Sequence, residues 1–104
     1  MKFGLATDVI ARLCQVFAKH PEIERAIIYG SRAKGKFRPG SDIDLTFKGD
    51  AIPLSLMLQV ENELDDLLLP YQFDLSVLAQ IEDPSLRAHI ARVGQVLYQR
   101  PEAV

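Results

Sequence analysis

The chain has 104 residues, 48% of them hydrophobic, which is enough for one domain with a single core. Its net charge of -2 argues against direct binding to nucleic acid, and its sequence shows neither a signal peptide nor an apolar stretch long enough to cross a bilayer. The single cysteine, Cys14, excludes an internal disulfide, which fits the reducing cytoplasm. We therefore expect one domain over residues 1–104, located in the cytoplasm and without membrane contact.

The first half of the chain predicts a helix, then two strands with a short helical turn between them. Apolar residues recur at helical spacing over 5–19. A short apolar run rich in isoleucine predicts a buried strand over 25–30, and residues 31–37 have room for one or two helical turns. After a Pro-Gly turn, apolar and polar residues alternate over 42–48, as they do on a strand with one buried face.

The second half predicts a helix, a third strand and a last helix. Apolar residues recur at helical spacing over 53–69, and apolar and polar residues alternate over 71–78. The last helix is predicted over 83–99, with Asp83 as its N-cap and Pro84 at its first position. We therefore expect the α/β (α+β) class, with a small mixed sheet of about three strands covered by helices.

The segment 29–45, YGSRAKGKFRPGSDIDL, first looks like a phosphate-binding P-loop. Gly30, Gly35 and Lys36 stand at the G-x-x-x-x-G-K spacing of that motif. However, Phe37 stands where a P-loop has the hydroxyl residue that binds magnesium. A Pro-Gly turn then breaks the chain where a P-loop would open a long helix. We therefore reject the P-loop interpretation.

Other features of this segment suit a nucleotide and a metal ion. Gly30 and Ser31 end a predicted strand, where backbone amides and a hydroxyl can approach a phosphate closely. Asp42 and Asp44 lie two residues apart on a strand and therefore project from one face, and Asp74 lies within the third strand. Adjacent carboxylates repel unless a cation offsets their charge, and Mg²⁺ prefers such oxygen ligands. The alternative is a set of solvated surface aspartates, but if the two strands are neighbours, the three carboxylates converge on one metal-binding face.

A Gly-Ser pair at 30–31, ten intervening residues, Asp-x-Asp at 42–44 and the later FDLSV with Asp74 form a composite signature. It closely resembles the nucleotidyltransferase superfamily that includes DNA polymerase beta. The G-S-R-A-x-G wording is most similar to the minimal nucleotidyltransferases, or MNT domains, which are proteins of about this size. The resemblance spans at least residues 25–78 and implies a polymerase beta-like nucleotidyltransferase fold for the whole chain, as one minimal nucleotidyltransferase domain.

The resemblance implies metal-dependent transfer of AMP from ATP to an acceptor hydroxyl, with release of pyrophosphate. Asp42, Asp44 and Asp74 would be the catalytic residues and would hold two Mg²⁺ ions. The nucleotide would bind at Gly30, Ser31, Arg32 and Ser41.

The resemblance also implies a partner protein, because the chain has no room for the acceptor-binding domain of larger superfamily members. MNT proteins are typically paired with HEPN toxins, so the chain would be an antitoxin that transfers AMP to a tyrosine of a HEPN partner in a hetero-oligomer. Two alternatives stay open: a catalytically silent antitoxin that neutralises the partner by complex formation, and a small-molecule transferase of the aminoglycoside type assembled from two chains. His20 and His89 have no partner at ligand spacing and receive no role.

Overall fold

The computed structural model describes residues 1–102 as four helices and one sheet, with a single 3₁₀ turn. The helices are α1 (Thr7–Ala18), α2 (Gly30–Lys34), α3 (Leu54–Asp66) and α4 (Pro84–Val93). The strands are β1 (Arg25–Tyr29), β2 (Ile43–Lys48), β3 (Phe73–Val77) and β4 (Gln95–Gln99), and the 3₁₀ turn is Leu78–Gln80. Among residues 1–102, no helix has the length and apolar character that a membrane span requires.

The sheet has the strand order β3-β2-β1-β4, with β1 antiparallel to both of its neighbours and β2 parallel to β3. This confirms the predicted mixed α/β class. It also confirms that the two strands with aspartates are neighbours. In register, Asp44 lies opposite Asp74 on one side and opposite Tyr29 on the other.

The hydrophobic core lies between one face of the sheet and the helices α1 and α3. Phe17 of α1 contacts Phe47 of β2 edge to face, with 5.3 Å between ring centroids, and both side chains are fully buried. Val60 of α3 is fully buried in the same cluster. Each such side chain contributes about 1.5–3 kcal/mol by leaving water. The core therefore fixes one face of the sheet and leaves the other, with Asp44 and Asp74, available for chemistry.

The last helix was predicted over 83–99, and its second half is wrong. Helix α4 ends at Val93, and Gln95–Gln99 forms β4, so the sheet has four strands rather than three. Gly94 stands at the break, where a Cβ would overlap the carbonyl of Ile90. The residues that follow alternate and include valine and tyrosine, and they pair with the otherwise free edge of β1. The predicted cap is confirmed, because the side chain of Asp83 accepts a hydrogen bond from the Ser85 amide.

The other predicted elements are confirmed, with ends shifted by up to three residues. The helix predicted over 53–69 is Leu54–Asp66, for example, and the turn predicted over 31–37 is the helix Gly30–Lys34. Such shifts are usual, because helix ends fray and often finish in tighter turns.

Candidate active site

Asp44 and Asp74 lie side by side on the sheet face away from the core. They are register partners on the parallel strands β2 and β3; Asp74 is exposed and Asp44 is half-buried. Asp42 is exposed and directly precedes β2. Burial, followed by the negative charges of Asp74 and Asp42, raises the pKa of the Asp44 carboxyl. The charges of Asp74 and Asp42 therefore both act on Asp44.

The Gly-Ser turn contacts this carboxylate group directly. Gly30 has φ +74°, and a Cβ at this position would overlap the Oδ2 atom of Asp44. Only glycine fits both conditions, because an L side chain at this φ is strained and the space is already occupied. Ser31 is the next residue of α2 and is half-buried. The two parts of the motif, separated by ten residues in sequence, thus meet in space.

Tyr29 and His89 also line this face, and sequence reasoning missed both. The imidazole Nε2 of His89, on α4, accepts a hydrogen bond of 3.2 Å from the Gly30 amide. The His89 ring meets Tyr29 edge to face, with 6.1 Å between centroids. Burial raises the pKa of the Tyr29 phenol; a hydrogen bond with Ser76 opposes the rise, and the charges of Asp74 and Asp44 add to it. Tyr29 was read as part of an apolar strand, and His89 lies 59 residues from Gly30, so no local spacing marked either one.

Arg32 was expected to bind phosphate, and its side chain is buried against main-chain carbonyls. Its side chain is 2% exposed, and its guanidinium donates hydrogen bonds to the main-chain carbonyls of Phe3, Pro39 and Ser41. These four hydrogen bonds use four of the five N–H groups of the guanidinium, so one N–H group of Nη1 is left without a partner among them. The expected contact of Arg32 with a nucleotide stays a prediction.

Ser41 stabilises the turn before β2. Its hydroxyl accepts a hydrogen bond of 2.8 Å from the Arg38 amide, and its carbonyl accepts two from Arg32. Ser41 thus defines where the chain enters Asp42, and its contact with a nucleotide stays a prediction.

The donor set suits a magnesium–nucleotide complex better than a bare ion. Within residues 1–102, no three His, Cys, Asp or Glu side chains are placed to hold a metal ion by themselves. Mg²⁺ is usually held in proteins by one or two carboxylates together with substrate phosphates and water. Because burial and the charges of Asp74 and Asp42 raise the pKa of Asp44 more than His89 lowers it, a cation beside Asp44 would offset the remaining negative charge. Asp42, Asp44 and Asp74 therefore fit a metal that arrives with its nucleotide.

Solved structures with the same fold include several toxin–antitoxin complexes. The chain is similar to a toxin–antitoxin structure with AMP-PNP, at 18% identity and a TM-score of 0.70, covering 86% of this chain and 73% of that one. It is similar to an MntA–HepT toxin–antitoxin structure, at 16% identity and a TM-score of 0.66, covering 90% and 73%. A third is the tri-AMPylated HEPN toxin of Shewanella oneidensis in complex with its MNT antitoxin, at 18% identity and a TM-score of 0.60, covering 88% and 68%. At these identities the similarity shows the fold.

The family itself is shown by sequence. No curated protein matches the chain. The family described as "Polymerase beta, Nucleotidyltransferase" matches residues 11–103, which include the Gly-Ser turn and all three carboxylates. This confirms the resemblance that the motif carried, and the chain belongs to the polymerase beta nucleotidyltransferase family.

Proposed function

We propose that this protein transfers AMP from ATP to a hydroxyl of a HEPN toxin and thereby acts as its antitoxin. The observation that supports the proposal is the close approach of Gly30 to the Asp44 carboxylate, which is paired in register with Asp74, because a phosphate bound at the turn would lie beside a cation held by the carboxylates. Two similar structures support the nucleotide and the partner: one is a toxin–antitoxin structure with AMP-PNP, and one contains an AMPylated HEPN toxin with its MNT antitoxin.

Each part of the site has a separate task in this reaction. The hydroxyl and amide of Ser31 would bind the triphosphate, since the Gly30 amide already donates to His89 Nε2. Asp42, Asp44 and Asp74 would hold Mg²⁺, which when bound would neutralise phosphate charge and lower the pKa of the attacking hydroxyl. The acceptor oxygen bonds to the α-phosphorus while the bond to pyrophosphate breaks. The exposed carboxylate of Asp74 takes the acceptor's proton, AMP stays on the acceptor and pyrophosphate leaves.

The acceptor is expected to come from another protein. Asp74 is exposed and lies on β3, the edge strand of the sheet, so a side chain projecting from a bound partner can reach it. A tyrosine suits this geometry because its ring carries the hydroxyl far from the partner's backbone. Its pKa near 10 also makes it easier to deprotonate than an aliphatic hydroxyl.

The test is the intact mass of the HEPN partner after co-expression with this chain. We expect a gain of one AMP mass or a multiple with the wild-type chain, and none with Asp42→Asn/Asp44→Asn. Asp65→Asn is the matched control, because Asp65 is an exposed carboxylate on α3, and it should modify the partner as the wild type does.

The same experiment separates the silent antitoxin from the transferase. If the partner's mass never changes, yet wild type and double variant both bind it and both suppress its toxicity, neutralisation is by complex formation. Transfer to a small molecule would instead leave both the partner's mass and its toxicity unaffected by this chain.

A further inference from the structure

We infer that Arg32 is a positioning residue that fixes the two chain segments leading into the active-site carboxylates and does not bind the nucleotide. The expected effect of Arg32 on AMP transfer rests on the proposed function. The contacts of the Arg32 guanidinium with the segments before Asp42 and Asp74, which we call the clamp, lie within the chain and can be tested separately.

The hydrogen bonds of Arg32 converge on the turn before Asp42. Nε and Nη2 both donate to the Ser41 carbonyl, at 3.1 and 2.9 Å, and Nη2 also approaches the Pro39 carbonyl at 3.3 Å. Nη1 donates to the Phe3 carbonyl at 2.9 Å, in the N-terminal segment. Because Ser41 directly precedes Asp42, this planar fork holds the point where the chain enters the first carboxylate.

The same guanidinium contacts the entry to β3. Its Cζ atom lies 5.0 Å from the ring centroid of Tyr71 and 5.3 Å from that of Phe37, which are cation–π distances. Tyr71 lies three residues before Asp74. Arg32 thus links the segment before Asp42 to the segment before Asp74.

The burial of the Arg32 guanidinium explains why it would not contact the phosphates of a bound nucleotide. Among residues 1–102, no carboxylate lies within ion-pair distance of Arg32, so carbonyls and aromatic rings alone compensate its charge. A buried cation is tolerated only when its donors are satisfied. Turning the guanidinium towards a phosphate would break its bonds to the Phe3, Pro39 and Ser41 carbonyls together and open the turn that precedes Asp42.

The first experiment uses the wild-type chain, labelled with ¹⁵N, and follows the Nε–H of Arg32 by NMR. We expect slow exchange of this proton with water and almost no shift when Mg²⁺ and AMP-PNP are added, while the amides of Gly30 and Ser31 shift. An Arg32 signal that shifts as much as these amides would overturn the inference. If no signal responds to the nucleotide, the proposed function fails, and slow exchange at Arg32 still tests the clamp.

The second experiment compares Arg32→Lys with Arg38→Lys, since Arg38 is an exposed arginine of the same segment. Because a misplacement of about 1 Å can cost about 100-fold, we expect kcat for AMP transfer to fall at least about tenfold in Arg32→Lys. We expect its KM for ATP to rise by a smaller factor than kcat falls, because the displaced carboxylates still face the metal–nucleotide complex but no longer align it for transfer. Hydrogen exchange of the backbone amides over residues 36–43 and 71–74 should be faster in Arg32→Lys than in the wild type. Arg38→Lys should match the wild type.

The opposite pattern would overturn the clamp. A raised KM with unchanged kcat would make Arg32 a phosphate ligand, and unchanged amide exchange would mean that it holds neither segment. If Arg32→Lys does not fold, Tyr71→Leu removes one aromatic contact and leaves the hydrogen bonds, and Tyr71→Phe keeps the ring. We expect Tyr71→Leu to lower kcat and Tyr71→Phe to retain it; equal kcat in the two variants would count against the link to β3.

Discussion

At the scale of single residues, Gly30 is the position where the site tolerates least change. We predict that Gly30→Ala abolishes AMP transfer, because the new Cβ would occupy the place of the Asp44 carboxylate. The positive φ adds about 1–2 kcal/mol of strain, which should also lower the melting temperature. Gly40→Ala is the control, since a Cβ there meets no atom within 4 Å. Wild-type transfer by Gly30→Ala would mean that Asp44 lies elsewhere in the working enzyme.

Asp44 illustrates the cost of keeping a charge in this site. Its pKa is raised in the folded chain, so the folded state holds the proton more tightly than the unfolded state does. Stability therefore falls as pH rises from the unfolded pKa through the raised folded one, and the loss is complete above that window. We predict that Asp44→Asn melts at a higher temperature than the wild type at pH 8 without metal, while losing transfer activity.

The control for this variant is Asp50→Asn, which removes an exposed carboxylate from the loop between β2 and α3. Melting curves at pH 8 and below pH 4 measure the effect, and the advantage of Asp44→Asn should shrink at the lower pH. An advantage that is the same at both pH values would show that charge is not its cause.

At the scale of helices and strands, a partly buried hydrogen bond joins α3 to the segment that follows α1. The His20 ring nitrogen Nε2 lies 2.7 Å from Glu63 Oε1, and His20 is only 7% exposed. We predict that Glu63→Ala lowers the free energy of unfolding by about 1–3 kcal/mol, because the imidazole loses its partner. Glu61→Ala, an exposed change on the same helix, should stay within about 0.5 kcal/mol of the wild type in urea unfolding. Equal effects of the two changes would leave this bond without a role in stability.

The sequence predicted those elements that depend on local pattern and missed those that depend on distant neighbours. Periodicity located α1 and α3, and the spacing from Gly30 to Asp44 marked two residues that the fold brings together. Strand β4 depends on the free edge of β1, which no window around Gly94 contains. The contacts of Arg32 with Phe3 and Tyr71 could not be predicted either, because both residues are far from it in sequence.

At the scale of the whole molecule, the carboxylate site should couple metal binding to nucleotide binding. The described residues hold no three ligating side chains placed to hold a metal alone, so we expect phosphate oxygens and water to complete its coordination. We predict that Mg²⁺ alone changes the melting temperature little, whereas Mg²⁺ with AMP-PNP raises it. At 100 times the dissociation constant, binding stabilises the folded chain by about 2.7 kcal/mol.

The matched variant for this coupling is Asp42→Asn/Asp44→Asn, which keeps the Gly30 turn and removes two of the three carboxylates. It should melt at the same temperature with and without Mg²⁺ and AMP-PNP, because the metal that joins nucleotide to protein has lost its ligands. A large shift with Mg²⁺ alone in the wild type would instead mean that the carboxylates form a complete metal site before any nucleotide arrives. The order of binding would then be metal first, and the raised pKa of Asp44 would describe only the metal-free chain.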